Sequence, residues 1–204
     1  MATGDTDVSI CADALILLGA SPISSFSDGT DPATIAGRLY PDVRDSTIQA
    51  YPWRFSLSKA SLTRTENTPT NEWTYEYDLP SDRLGPPHAV FNSTSAGARP
   101  FQAWEIYGET LLTNETAIVI DYQVTVAESA MPTWFVQLLK YQMAWHLAEA
   151  VTDQISKTDY WRAVALGGPA SNNRGGYMRT AMNIDGQGTT PQAFEDFSLI
   201  AVRY

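Results

Sequence analysis

The stretch YPWRF, residues 51–55, lies where a helical pattern ends and a different pattern begins. Proline lacks the amide hydrogen that a continuing helix needs, and it disfavours the helical conformation in the residue before it. The helix is therefore expected to end here. The aromatic side chains of Trp53 and Phe55 supply more apolar surface than a simple helix stop requires. We therefore expect Pro52, Trp53, Arg54 and Phe55 to form a rigid joint between two parts of the protein.

Two helices are predicted before this joint. In residues 7–18 apolar side chains recur at helical spacing, and Gly19 follows as a helix stop. A second helix is predicted to begin with Asp31 as its capping residue and Pro32 in its first turn. Pro41 lies inside this second helix, where we expect a kink or a break.

After the joint, from about residue 72 to 126, the pattern is typical of short β-strands. In EWTYEYDLP, residues 72–80, aromatic and polar residues alternate with a period of two. Further apolar runs follow, separated by glycine, proline and asparagine. Gly108 and Glu109 are expected to form the tip of a hairpin. The sequence therefore predicts a small antiparallel sheet domain between helices.

A third helix is predicted from Pro132, with Thr133 as its cap. Apolar residues cover so much of its circumference that it should be buried on more than one side. We expect it to pack on the first two helices and also on a neighbouring subunit or the sheet. One of its apolar stripes contains Trp134, Leu138, Tyr141 and Trp145. A fourth helix is predicted at KTDYWRAVAL, residues 157–166, interrupted by the glycine-rich residues 167–176.

The predicted fold class is α+β, with a helical bundle built from the N-terminal two helices plus the C-terminal helices. The expected boundaries are 1–60 and 131–186 for the bundle, 61–130 for the inserted antiparallel β domain, and 187–204 for an extended docking tail. A chain end this apolar is expected to bind its own body or another chain. The apolar residues of the tail are Phe194, Phe197, Leu199, Ile200, Val202 and Tyr204.

Composition argues against several classes of function. The formal net charge is -10, whereas a protein that clamps DNA phosphates needs a basic stripe. Cys11 is the only cysteine, so an intramolecular disulfide and a Cys-based zinc site are excluded. The only histidines, His88 and His146, lack metal-ligand spacing. No stretch approaches the length of an apolar membrane span. We expect no catalytic residues, no cofactor, no metal and no membrane contact.

Two other interpretations remain open from the residues alone. Trp73, Tyr75 and Trp104 are candidates for a sugar-stacking platform, as in a carbohydrate-binding or cell-wall-acting tail module. The second open interpretation is a hydrolase, although the sequence has no Gly-x-Ser-x-Gly motif. No pair of carboxylates is marked as a glycosidase pair.

Several motifs in order resemble one known family. The first helix contributes Ala14, Leu15, Leu18 and Gly19, and the segment around the joint contributes Val43, Arg44, Asp45, Pro52, Trp53 and Phe55. The strand motif consists of Tyr75, Tyr77, Leu79, Pro80, Asp82, Arg83 and Leu84, and the hairpin motif of Trp104, Ile106, Gly108, Leu111 and Thr113. The helix from Met131 and the tail EDFSLIAVRY complete the order. Over residues 7–204 the chain resembles the tail tubular protein A family, the head-to-tail adaptors of tailed bacteriophages. Pro41 and the glycine-rich loop depart from the family pattern.

This resemblance implies a structural role in the virion, at the head–tail junction, for a protein made in the cytoplasm of the bacterial host. Such adaptors form a homo-oligomeric ring of about twelve copies. The ring lies between the portal protein and the tail nozzle or other tail proteins, and double-stranded DNA passes through it without specific binding. The expected interface with a sister subunit or the portal consists of Trp134, Leu138, Tyr141, Trp145, Phe194, Phe197, Leu199, Ile200 and Tyr204.

Overall fold

The described part of the chain contains two α-helices, then six β-strands, then three α-helices. The computed structural model describes residues 5–95 and 97–188. The helices are α1 (Asp7–Leu18), α2 (Asp31–Gln49), α3 (Thr133–Thr152), α4 (Ile155–Leu166) and α5 (Gly176–Gly186). The strands are β1 (Leu57–Ser61), β2 (Tyr75–Asp78), β3 (Ala89–Phe91), β4 (Trp104–Tyr107), β5 (Thr110–Thr113) and β6 (Val119–Gln123). The predicted α+β class is confirmed.

Local capping explains where the first two helices begin. At α1 the Thr6 hydroxyl accepts from the Ser9 amide at 3.1 Å, and the Ser9 hydroxyl accepts from the Thr6 amide at 2.8 Å. Gly19 ends α1 with a φ of 79°, as the sequence predicts. At α2 the cap is Thr30, whose hydroxyl accepts from the Ala33 amide at 3.4 Å. The predicted cap at Asp31 is therefore wrong by one residue.

Two other helix predictions are corrected. α2 runs unbroken from Asp31 to Gln49 with Pro41 inside it, so of the expected kink or break the break is absent. At α3 the capping position is held by Pro132, and no side chain makes a capping hydrogen bond there. Thr133 is already the first helical residue, so it does not act as the predicted cap.

Helix α3 is the centre of the bundle, because α1, α2, α4 and α5 all pack against it. Its buried residues lie on more than one side, in keeping with the apolar circumference seen in the sequence. They are Phe135, Val136, Leu138, Leu139, Gln142, Met143, Ala144, Leu147 and Ala148. Most of the surface of the central helix is therefore already covered by the other helices of its own chain.

The strands form two three-stranded antiparallel sheets, in the orders β1-β6-β3 and β2-β5-β4. β4 and β5 form a hairpin whose tip is Gly108 and Glu109, as predicted, with Gly108 at a φ of 59°. A second apolar core lies between the sheets. It contains Tyr77, Leu79, Val90, Leu111, Ile118, Ile120 and Tyr122.

The β part begins earlier than the sequence indicates. β1 starts at Leu57 and pairs with β6 along its whole length, so the expected boundary at residue 61 falls at the end of a paired strand. None of the helices in the described part of the chain is both long and apolar enough to cross a membrane.

Candidate functional site: the joint and the helical surface

The predicted joint is centred on Trp53, whose side chain is fully buried. Its indole Nε1 donates to the carbonyl of Thr47 at 2.9 Å, in the last turns of α2. The centroid of its ring lies 4.8 Å from Tyr51, 5.4 Å from Trp134 and 5.3 Å from Phe135. Trp53 therefore connects the end of α2 to the first turn of α3.

Phe55 extends this aromatic cluster on the other side of Arg54. Its ring centroid lies 4.7 Å from that of Phe135 and 5.7 Å from that of Trp134, both with edge-to-face geometry. Such pairs contribute about 0.5–1.5 kcal/mol each beyond the burial of their area. We call Tyr51, Trp53, Phe55, Trp134 and Phe135 the joint cluster. Four of the six ring pairs in it include a residue of YPWRF and a residue of α3.

The sheet is attached to the same place by Gln123, which is 1% exposed. Its side-chain amide lies 2.8 Å from the carbonyl oxygens of Ile48 and Tyr51, and 3.0 Å from the hydroxyl of Ser56. Its Oε1 lies 2.9 Å from Nε2 of His88. An amide bound on all sides has only one low-energy position. Gln123 therefore fixes the end of β6 to the end of α2.

A contact between Arg54 and Asp185 of α5 is the third interaction at the joint, after the joint cluster and Gln123. The main-chain amide of Arg54 donates to both carboxylate oxygens of Asp185 at 3.3 Å, and its guanidinium donates to the carbonyl of Gly188. Burial raises the pKa of Asp185, and the Arg54 amide and charge partly oppose that rise. All three ties meet within residues 47–56, so the structure positions the predicted joint residues together.

A further contact holds α2 to the segment that leads into α3. Glu128 accepts from the Tyr40 hydroxyl and from the Arg44 guanidinium, both at 3.1 Å. Burial, together with the Glu128 charge, raises the pKa of Tyr40. Because the phenol stays protonated, it remains a hydrogen-bond donor to Glu128 at neutral pH.

The four interface residues expected on α3 have different surroundings. Leu138 is fully buried by its own chain, so in this structure it is a core residue with no surface for a partner. Trp134 is half-buried in the joint cluster. Tyr141 is half-buried against α4 and α5, with its ring 5.8 Å from Trp161. Trp145 is half-buried, and the Arg162 guanidinium lies 5.9 Å above its ring.

The most exposed apolar side chains of the bundle lie on the other helices. Ile155 and Tyr160 on α4 are 66% and 61% exposed, and Ile16 on α1 is 54% exposed. Lys157 donates to the carbonyl of Leu18 at 3.0 Å, so the start of α4 lies beside the end of α1. These exposed residues are not part of the predicted α3 stripe. We call Ile16, Ile155 and Tyr160 the exposed helical surface.

The candidate sugar-stacking residues do not all lie on one surface. Tyr75 and Trp104 pack against the core between the sheets. Trp73 lies before β2, and its indole N–H donates to Glu105 at 3.1 Å. Glu105 alternates with Trp104 along β4, so it points to the opposite face of the sheet. Trp73 and Trp104 therefore do not share one surface.

The remaining candidate groups have structural surroundings. Cys11 is fully buried among apolar side chains, and burial raises its pKa to about 12. Within residues 5–95 and 97–188, no three His, Cys, Asp or Glu side chains are arranged to hold a metal ion. The tail residues Phe194, Phe197, Leu199, Ile200 and Tyr204 lie outside the described residues.

Sequence reasoning missed Gln123 and Asp185. Gln123 and Asp121 alternate with apolar residues in VIDYQ, which is the pattern of a solvent-facing side of a strand. Gln123 is covered on that side by the end of α2, by Ser56 and by His88. Asp185 lies near the end of α5, on the same buried side as Met178 and Ala181. It belongs to no recognisable motif, so no sequence signal marks it as the partner of Arg54.

Comparison with known proteins adds no family or relative to these observations. No known protein family matches the chain, and no curated protein is significantly similar to it.

Proposed function

We propose that this chain is a structural subunit of a ring at the head–tail junction of a tailed phage, between the portal protein and the tail. The specific part of this proposal comes from the ordered motifs described above. The ring has about twelve copies, as a closed head-to-tail assembly allows. Double-stranded DNA passes through it, and the net charge of -10 disfavours contacts between the wall and the phosphates.

The observation that carries the proposal is the way the joint unites the bundle with the sheets. A ring closes only when every copy presents its two contact surfaces at the same angle. Gln123 connects β6 directly to the end of α2, whereas the joint cluster and the Arg54–Asp185 contact fix the segment that leads into β1 onto the bundle. Relative motion of the parts would break buried hydrogen bonds, each of which costs about 1–3 kcal/mol when left unmade.

The exposed helical surface supports an oligomeric state. Ile16, Ile155 and Tyr160 are each more than half exposed, and a contact with another chain that covered them would remove apolar area from water. In the proposal this surface, together with Trp134, Tyr141 and Trp145, faces a neighbouring copy or the portal. The tail residues Phe194 to Tyr204 are proposed to strengthen the same assembly.

Co-sedimentation with a purified portal ring from the same virus tests the proposal. The chain is expected to move with the portal in a fixed ratio. A variant with both Ile155→Ser and Tyr160→Ser is expected to bind less, with Ser156→Ala as a control at an exposed neighbouring position. A chain that never sediments with the portal would contradict the proposed function.

A further inference from the structure

Strand β1 has one unpaired side. It is the edge of the sheet β1-β6-β3, with β6 as its only neighbour. Just after β1, the Leu62 amide donates to the Ile118 carbonyl at 2.9 Å, so Leu62 turns its main-chain groups toward the β6 side. In an antiparallel pair these directions alternate along the strand. The amides and carbonyls of Lys59 and Ser61 therefore point away from β6.

The open side is exposed and short. Leu57 is 40% exposed, and no hydrogen bond beyond the strand ladder reaches the main chain of Lys59 or Ser61 within the described residues. Past Ser61 the same side of the chain is occupied, because the Asp78 amide donates to the Thr63 carbonyl at 3.2 Å. The open edge is therefore Leu57–Ser61, which is long enough for one short added strand.

Lys59 does not protect this edge. Lysine side chains on edge strands often prevent pairing with another chain. Here the Lys59 ammonium lies 3.0 Å from Asp121 on β6 and 4.3 Å above the ring of Phe91 on β3. The charge is thus directed across the sheet and away from the unpaired main-chain groups.

The tail leaves the described part of the chain close to this edge. The Arg54 guanidinium donates to the carbonyl of Gly188, the last described residue, and Arg54 precedes β1 by three residues. Residues 197–204, FSLIAVRY, are rich in aromatic and β-branched residues, the types that favour strands. Residues 189–196 connect Gly188 to this strand-favouring segment.

The length of that connection is sufficient to reach the edge of another copy. Eight residues span at most about 27 Å when fully extended. The chain's own edge begins only three residues from the Arg54 contact, but a closed ring needs a contact between copies and not within one. A globule of this size has a radius of gyration of about 17 Å, which is less than the span of the connection.

We infer that residues 197–204 of one copy add a strand to the open edge Leu57–Ser61 of the next copy. This inference rests on the proposed ring and names the surface that the tail binds. Strand addition supplies main-chain hydrogen bonds to the open side of β1, where the described residues provide none. Repeated from copy to copy, it is a head-to-tail contact of the kind that closes a ring.

Cross-linking tests which edge the tail occupies. Full-length Cys11→Ala chains are made with either Ser61→Cys or Ala201→Cys, mixed at high concentration and treated with a short bismaleimide. Two-chain adducts joined through positions 61 and 201 are expected, about tenfold more than with Asn172→Cys in place of Ser61→Cys. No excess over that control would overturn the inference. A chain carrying both cysteines that links only within itself would also overturn it.

A blocking substitution separates this inference from the proposed function. Ser61→Pro removes an amide that points away from β6, so circular dichroism should show the fold retained, and Ser61→Ala is the matched control. The proline variant is expected to co-sediment less with the portal ring than the alanine variant. Equal binding by both would overturn the inference and leave the proposed function standing. Absence of binding by both would contradict the proposed function and the inference together.

Discussion

The side-chain amide of Gln123 lies 2.8 Å from the carbonyl of Ile48, which joins the last strand of the β part to the final turn of the second helix. This carbonyl is among the last of α2, where no further helical amide follows to bond it. Gln123 thus satisfies a helix end and positions a sheet with one group. The contact spans 75 residues of sequence, so it forms only when the end of α2 and the end of β6 have come together.

Replacing Gln123 with leucine should destabilise the protein strongly. The substitution leaves the buried acceptors at Ile48 and Ser56, and the part-buried carbonyl of Tyr51, without the Gln123 donor. We expect the free energy of unfolding to fall by about 2–4 kcal/mol. Urea unfolding measures it, with Gln102→Leu as a control at an exposed glutamine. A loss no greater than that of the control would show that the amide does not hold the joint.

The two contributions of Trp53 can be separated by substitution. Trp53→Ala empties the centre of the joint cluster and should cost about 3–5 kcal/mol. Trp53→Phe keeps a ring but removes the indole donor to Thr47, so a smaller loss of about 1–3 kcal/mol is expected. Tyr160→Ala, at a residue that is 61% exposed, should have little effect on unfolding. Equal losses for Trp53→Ala and Tyr160→Ala would contradict the role of the cluster.

Asp185 should make stability depend on pH. Burial raises the pKa of Asp185 in the folded state above the ordinary value of 3.8, which the unfolded chain keeps. At a pH between the unfolded and the folded pKa, the folded state therefore binds more protons than the unfolded state. Stability contributed by this group therefore falls as pH rises through that window. Asp185→Asn removes this dependence and keeps an oxygen for the Arg54 amide. The stability of the variant relative to the original chain should rise with pH across the window and then stay constant. A difference that falls with rising pH would mean that the folded pKa is lowered instead.

The exposed helical surface should affect assembly without affecting folding. Ile155→Ser changes a residue that is 66% exposed, so the free energy of unfolding should change by no more than about 0.5 kcal/mol. In the proposed ring the same change should weaken association between copies or with the portal. Analytical ultracentrifugation compares it with Ser156→Ala. Unchanged association would exclude this surface from the interface.

Deleting residues 191–204 should leave the fold intact and weaken assembly. The five helices and two sheets of the described residues all lie before the deletion. Thermal unfolding followed by circular dichroism checks the fold, and co-sedimentation with the portal checks assembly. If the shortened chain assembled as well as the full chain, the tail would have no docking role.

The helices could be predicted closely because their signals are local. Gly19 ends α1, and the glycine-rich residues 167–176 separate α4 from α5, since these signals act on neighbouring residues. β1 was not predicted, because LSKAS has no apolar alternation. Its strand is defined by main-chain pairing with β6, about 60 residues away, and sequence patterns do not record such pairing.

The sequence YPWRF predicts the joint, but it does not predict which residues elsewhere in the chain pack against it. Buried aromatic residues after a helix stop indicate that something must cover them, but they do not name it. In the structure the covering groups come from α3, β6 and α5, each distant in sequence. The same limit applies to Leu138: an apolar stripe predicts burial, and only the fold shows that its own chain supplies the cover.

The central claim is that this chain is a building block of a ring attached to a portal. Electron microscopy of the full-length chain mixed with the portal ring of the same virus tests it most directly. We predict an added ring-shaped layer on one end of the portal, with the bundle and the sheets at one fixed angle in every copy. Portal rings that remain bare in the presence of excess folded chain would contradict the claim.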